Sequence, residues 1–374
     1  MTINTKGALL WEPGTNSGWT ISDIEIDPPK RDEVLIKLTA SGLCHSDAHL
    51  DTGDIPLPYK PVLGGHEGAG VIQEVGPEVH DLQVGDHVVT TFLPSCGVCR
   101  WCSSGMGNLC DVGAGVLSGF APDGTNRIHS GGQPVGAMSF LGTFSPYVVA
   151  PVSGVIKIDK DIPLEKAALI GCGVPTGWGS AVNSAETQVG DTVVVVGTGG
   201  VGINAVQGAR HAGARTIVAI DPVAFKREMA EQLGATHTVE DFEKGIALVR
   251  DLTHGVMADR VILTTGVAYG DLIAPCLELT RKAGVLVVTA AAPAMQTEVS
   301  MNLLDLTMSG KRVQGALYGS CNARVEVPKL LDLYRSGALK LDELVTRTYS
   351  LEEINQGYTD MSEGRNLRGV IVYE

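Results

Sequence analysis

The chain reads as an α/β protein built from a small β-barrel and a doubly wound parallel sheet. Three observations in its 374 residues predict this. Short β-branched runs broken by Gly, Pro and Asp fill the first part, a strand–glycine turn–helix unit starts near Thr192, and a four-cysteine run interrupts the barrel.

The barrel rhythm runs from Lys6 to about Tyr147, with Glu33-Val-Leu-Ile-Lys-Leu and Asp86-His-Val-Val-Thr-Thr as examples. From Asp191 the rhythm becomes strand, helix, strand: Thr192-Val-Val-Val-Val, a helix over Val201 to Ala212, then Thr216-Ile-Val-Ala-Ile. Runs at Arg260, Gly284 and Arg312 are apolar on both faces, as buried parallel strands are. The tail carries helical stretches such as Val327 to Ser336 and a final strand beginning at Leu367. The expected division is a barrel domain over 1–174, a sheet domain over 175–316, and a return to the barrel over 317–374. No tandem repeat or low-complexity segment is visible.

Cys96, Cys99, Cys102 and Cys110 stand at a C-x2-C-x2-C-x7-C spacing within the lobe 94–112. Four thiolates around one tetrahedral ion leave no open position, so this reads as a closed, structural zinc site. Disulfides fit less well because no signal-peptide pattern precedes the run, and an iron–sulfur cluster less well because the run lacks a Cys-Pro ending. Cys276 and Cys321 are left over as ordinary core thiols.

A net charge of −14 argues against nucleic acid or an anionic membrane as partner, since both would repel it. No stretch reaches the ~20 apolar residues that span a bilayer, which points to a cytoplasmic protein acting on small molecules.

The first parallel strand ends in Gly197-Thr-Gly199-Gly200-Val201-Gly202, and Asp221 closes the second strand 19 residues after Gly202. Glycines make the tight turn and let backbone approach a pyrophosphate, the helix N-terminus offers free N–H groups, and the acid accepts from the adenosine ribose hydroxyls. This is the dinucleotide fingerprint of a Rossmann sheet. A 2′-phosphate beside Asp221 would meet like charge, and Pro222 rather than Arg comes next, so NAD is expected over NADP.

Two further segments carry metal-ligating types: Ser41-Gly-Leu-Cys44-His45-Ser46-Asp47-Ala-His49, and Gly65-His66-Glu67-x2-Gly70-x5-Gly76-x2-Val79. With Cys172 in Leu169-Ile-Gly-Cys172-Gly-Val-Pro-Thr176, the chain resembles the zinc alcohol dehydrogenases of the medium-chain dehydrogenase/reductase family from end to end. That resemblance makes the barrel GroES-like and implies two zinc ions per chain, one structural and one catalytic.

The resemblance implies a catalytic zinc held by Cys44, His66 and Cys172 with water or alcohol in the fourth position. Glu67 would stand behind as an occasional ligand, and Asp47 would orient His66. The alcohol proton would leave by way of Ser46, the nicotinamide ribose and His49 at the surface. His45 replaces the Arg that many relatives set against the pyrophosphate, Arg368 matches the C-terminal pyrophosphate-binding Arg, and Thr176 would abut the nicotinamide. Lys226 is a candidate at the adenosine ribose, with a solvated helix lysine as the alternative. Phe92, Phe140, Leu141 and Leu317 would line the alcohol channel.

The segments Thr52-Gly-Asp-Ile-Pro-Leu-Pro, Asn108-Leu-Cys-Asp-Val-Gly-Ala-Gly and Ser139-Phe-Leu-Gly-Thr-Phe-Ser-Pro-Tyr look most like the NDMA-dependent alcohol dehydrogenases. These are nicotinoproteins, whose NAD stays bound and is reoxidised in place by a nitroso dye or, in cells, by an external redox carrier. The resemblance therefore implies oxidation of primary alcohols to aldehydes by a homo-oligomer, a dimer or tetramer. Two other enzymes compete: an ordinary NAD-exchanging alcohol dehydrogenase, and a thiol-adduct formaldehyde dehydrogenase, disfavoured because Ala114 stands where those carry an Arg. The non-enzyme alternative is a zinc-depleted structural or dinucleotide-binding protein, against which the intact ligand set argues.

Overall fold

The computed structural model describes all 374 residues, which separate into two compact units: 1–172 with 322–337 and 341–374, and 173–321 with 338–340. No helix is long and apolar enough to cross a membrane.

The first unit holds a closed barrel of Ile3–Leu10, Thr20–Ile26, Ile128–Ser130, Gln133–Ala137 and Val62–Leu63. Beside it runs a sheet in the order Val155–Ile158, His87–Thr90, Gly68–Val75, Glu33–Gly42, Arg368–Val372, Val345–Tyr349, with Tyr147–Pro151 also paired to Glu33–Gly42. Its core includes Leu10, Ile24, Ile36, Leu63, Ile72 and Phe144, all essentially inaccessible to water. The last strand closes the chain onto its beginning: Val370 lies opposite Gly42 in an antiparallel pair. That register sets Arg368 beside Leu43 and, across Gly42, beside Glu67.

The second unit is a six-stranded parallel sheet in the order His237–Val239, Thr216–Ile220, Thr192–Val196, Ala258–Leu263, Thr280–Val288, Arg312–Gly315. The central strand Thr192–Val196 is buried throughout, as its unbroken valines require. The strand at Arg312 departs from the expectation of a buried one. It is the sheet edge, paired on one side only, and all four of its residues are exposed.

The tail helix spans Ala323–Arg335 and starts before Val327, because the Asn322 side chain caps it by accepting from the Arg324 N–H. Cys276 and Cys321 are fully buried, as expected of core thiols.

Candidate functional site

Cys44, His66, Glu67 and Cys172 are brought together with their ligand atoms within 4.8 Å of one another, and all four residues are buried. Each comes from a different local device. Cys44 caps the short helix His45–Thr52 from extended backbone. His66 and Glu67 follow Gly65, whose φ of +89° favours glycine and whose Cβ would strike the Phe144 backbone. Cys172 ends the buried segment Ala168–Gly171.

His66 has two buried ring nitrogens with different surroundings. Asp47 Oδ2 lies at ion-pair distance from Nδ1, 3.1 Å, though without hydrogen-bond geometry, while Nε2 has neither a hydrogen bond nor a carboxylate at such a distance. A buried polar atom left alone costs free energy, so an orphaned Nε2 beside two thiols and a carboxylate fits a metal ion. Burial disfavours a charged His66 imidazole, but Asp47 and Cys44 outweigh it and hold His66 well above the usual histidine range. A hydrogen bond from Cys172 holds the Cys44 thiol well below its usual range, and the same bond with burial pushes Cys172 up. A divalent cation is the group such a set of donors would stabilise, with release of protons on binding.

Glu67 stands behind the thiols. Burial pushes its carboxyl up to about 7, against the pull of Arg368. Arg368 donates from Nη2 to Glu67 Oε2 and to the Leu43 carbonyl at 3.2 Å, and is itself buried. Gly42 permits this contact, since a Cβ there would collide with the Glu67 carboxylate.

The four cysteines of the lobe converge as a second donor set, also within 4.8 Å. Cys96 and Cys102 sulfurs are 4.0 Å apart and those of Cys99 and Cys110 are 3.9 Å apart. A tetrahedron with ~2.3 Å from centre to vertex has ~3.8 Å edges, whereas a disulfide needs ~2.05 Å. No cysteine is in a disulfide. Backbone N–H groups of Cys102 and Asp111 lower the Cys99 thiol to about 6, which suits a thiolate ligand.

In the parallel-sheet unit, Gly197 has φ +84° and a Cβ on it would press on the Thr265 backbone. Gly202 opens the helix Gly202–His211 directly against the Gly197 carbonyl. By contrast a Cβ on Gly199 would meet nothing within 4 Å. Packing does not demand glycine there, so the open space fits backbone approach by a pyrophosphate. Asp221 is buried, and its two oxygens accept from the N–H groups of Thr198 at 2.8 Å and Val223 at 2.9 Å. It thus ties the glycine turn to the end of the second strand while keeping lone pairs for ribose hydroxyls.

Residues 30–160 match the alcohol dehydrogenase GroES-like domain, and residues 200–336 the zinc-binding dehydrogenase domain. Alcohol dehydrogenase B of Mycobacterium tuberculosis is 50% identical over 372 residues, 99% of each chain. The NDMA-dependent alcohol dehydrogenase of Amycolatopsis methanolica is 48% identical over 371 residues, 99% of each chain. The chain belongs to the zinc-type alcohol dehydrogenases of the medium-chain dehydrogenase/reductase family. Among solved structures, benzyl alcohol dehydrogenase from Acinetobacter calcoaceticus superposes with a TM-score of 0.91 at 30% identity, covering 100% of both chains. An alcohol dehydrogenase zinc-binding domain protein from Burkholderia ambifaria gives 0.92 at 32% identity, again over 100% of both chains.

In this dehydrogenase the remaining candidate residues take the following places. Ser46 Oγ lies 3.6 Å from Cys44 Sγ, His45 is exposed, and Thr176 is half-buried on the helix Gly173–Gly179. Phe92 packs edge-on against the His66 ring at 5.7 Å. Phe140 is buried at a φ of +62°, Leu141 is packed in the barrel core, and Leu317 is half-exposed in the other unit. Lys226 is half-buried on the helix Ala224–Leu233.

One expectation needs correcting. His49 is not at the surface: it is 3% exposed, because Gly53 turns the chain back beneath it and Asp54 covers Nδ1 at 3.0 Å. Asp54 was not singled out in the sequence, nor was Arg227, which donates to the carbonyls of Asp221 at 2.8 Å and Pro222 at 2.9 Å. The signal for Arg227 was its place beside Lys226. Asp54 had none beyond its turn, Thr52-Gly53-Asp54.

Proposed function

We propose that this dehydrogenase oxidises primary alcohols to aldehydes in the cytoplasm, with a catalytic zinc at Cys44, His66 and Cys172 and a structural zinc at the four-cysteine lobe. We propose further that its NAD stays bound between turnovers and is reoxidised in place by an external acceptor. The orphaned His66 Nε2 among buried thiols carries the metal reading. Similarity over 99% of the chain to an NDMA-dependent relative carries the retained-NAD reading, and the benzyl alcohol dehydrogenase likeness supports a primary alcohol as substrate.

Zinc, when bound, supplies Lewis acidity that lowers the pKa of a hydroxyl toward ~7, and NAD supplies the hydride acceptor. The chain does the rest. Asp47 holds the His66 ring by Nδ1 so that Nε2 faces the other donors. Arg368 compensates Glu67, so a buried carboxylate can stand behind the ligands without a lone charge. Phe92 closes one side of His66 against water. Ser46 and His49 are the groups that carry the substrate proton away. Arg368 and His45 would hold the pyrophosphate, while Thr176 would meet the nicotinamide. Asp221 with Lys226 would hold the adenosine ribose and favour NAD over NADP.

The edge strand Arg312–Gly315 leaves one row of backbone groups unpaired, and Leu303, Leu304 and Met308 in the preceding helix are exposed. A second copy of the chain would cover both, which supports the homo-oligomer.

Metal analysis tests the zinc assignment. The purified protein should carry two zinc ions per chain, and Cys172→Ser should lose one together with alcohol oxidation. One zinc in the parent, or a Cys172→Ser protein with parental turnover, would leave a scaffold or a different chemistry.

A further inference from the structure

His49, the expected end of the proton path, cannot be read as a surface histidine, because the ring is almost wholly enclosed. The group that connects it to water is on the next turn of chain. The helix His45–Thr52 stops at Gly53, whose φ of +84° is the left-handed conformation that glycine adopts without strain. The His49 carbonyl accepts from both the Gly53 and Ile55 N–H groups, at 3.1 Å each. This double acceptance folds the segment back so that the Asp54 carboxylate lies under the imidazole.

Asp54 Oδ2 is 3.0 Å from His49 Nδ1 and also accepts from Thr52 Oγ at 2.8 Å. The carboxylate side chain is 24% exposed and the imidazole 4%. An ionised carboxylate only accepts, so the proton of a neutral His49 sits on Nδ1, and Nε2 is left as the accepting nitrogen. The His49 and Thr52 hydrogen bonds hold the Asp54 carboxyl below its usual range, which keeps it ionised where the enzyme would work.

We propose that Asp54 is a positioning residue for the proton path, fixing the tautomer of His49 and stabilising the imidazolium that forms when the substrate proton reaches it. The inference rests on the reading of His49 as a proton acceptor. No redox change is involved: one proton arrives at Nε2, and the resulting cation is paired with the carboxylate 3.0 Å away. Release of one proton to water, directly or through the partly exposed carboxylate, then restores the neutral ring. Of the titratable groups on the same helix, His45 has its ring centroid 6.4 Å from that of His49, and the carboxylate of Asp51 is engaged by the Gly18 N–H. His45 would raise the cost of the imidazolium, which makes an opposing carboxylate more useful.

The test is the pH dependence of a single turnover of primary alcohol by the dinucleotide-loaded holoenzyme, in the parent, Asp54→Asn, Asp54→Glu, Thr52→Val and His49→Gln. In the parent the rate should rise with pH, because the path must take up the proton of the alcohol. Losing the carboxylate disfavours the imidazolium, so Asp54→Asn should move that rise to lower pH by about one unit or less and lower the plateau about tenfold. Asp54→Glu, which keeps the charge, should restore the parental rise, and Thr52→Val, which leaves the carboxylate ionised, should move it far less than Asp54→Asn does. His49→Gln should abolish the rise, and the double variant Asp54→Asn, His49→Gln should be no slower than His49→Gln alone. A merely structural carboxylate would lower rates without moving the rise. Should Asp54→Asn fail to fold, Asp54→Ser removes the same charge and carries the same readout. A parental profile in Asp54→Asn with an altered one in His49→Gln overturns this inference alone. An unaltered profile in His49→Gln overturns the relay reading and this inference with it.

Discussion

Asp47 and His66 form a buried pair in which Asp47 Oδ2 lies 3.1 Å from His66 Nδ1, while Asp47 Oδ1 accepts from the Gly65 N–H at 2.8 Å. The carboxylate thus fixes both the ring and the turn that carries it. Carboxylate partners of metal-binding histidines typically contribute ~10–100-fold to metal affinity. Asp47→Asn should therefore keep the lobe zinc and weaken the second site by a factor in that range, as read by competition with a chelator. Equal retention of both zinc ions would show that the pair does not position a ligand.

Cys99→Ser should damage stability more than chemistry, since a closed four-thiolate site contributes to folding rather than offering a coordination position. Zinc content should drop by one per chain and the melting temperature should fall. Unchanged melting with abolished turnover would reverse the roles assigned to the two sites.

Asp221→Gly removes a carboxylate that already accepts two backbone N–H groups. Hydrogen bonds to charged groups are worth ~1.5–3 kcal/mol, so NAD binding should weaken by about ten- to a hundredfold. Loss of repulsion toward a 2′-phosphate should at the same time narrow the gap to NADP, with Arg227 close enough to the carbonyl of Asp221 to help. Titration of both dinucleotides measures this. An unchanged ratio of affinities would mean that Asp221 does not face the ribose.

Asp360 is 1% exposed and bonded to Tyr349 Oη at 2.7 Å, Arg347 at 2.7 Å, Gln356 at 2.8 Å and Arg365 at 2.8 Å. The Tyr349 hydroxyl first, with Arg365, Gln356 and Arg347, holds its carboxyl well below the usual range despite burial. A depressed folded-state pKa stabilises above the unfolded value near ~4 and loses that contribution as pH falls toward the folded value. Asp360→Asn should melt below the parent at pH 7, with the difference shrinking at pH values under ~4. A difference that stays constant down to pH 3 would place the stabilisation in packing rather than charge.

Much of this was legible in the chain. Local spacing located Cys96, Cys99, Cys102 and Cys110, because a lobe of fifteen residues brings them together without help from distant elements. The glycine turn and Asp221 were legible for the same reason, as neighbouring strands of one parallel sheet. Cys44, His66 and Cys172 could be grouped only by resemblance, since barrel topology joins them and no periodicity encodes it. The buried His49 and its Asp54 contact depend on a left-handed Gly53, one of many glycines, and could not be told from an exposed turn. The Arg368 contact with Glu67 depends on the register of the C-terminal strand against Glu33–Gly42. Exposure of Arg312–Gly315 was hidden because the apolar residues read with it, Ala316, Leu317 and Tyr318, lie beyond the end of the strand, which is itself only Arg-Val-Gln-Gly.

The absorbance spectrum of purified, extensively dialysed protein on mixing with a primary alcohol, with no NAD added, tests the proposed function most directly. Retained NAD predicts a rise in the reduced-nicotinamide band, its disappearance on adding a nitroso dye, and almost no cycling when free NAD alone is supplied. Dialysed protein that lacks dinucleotide, gives no rise, and oxidises alcohol briskly with added NAD would contradict the account and leave an ordinary exchanging alcohol dehydrogenase.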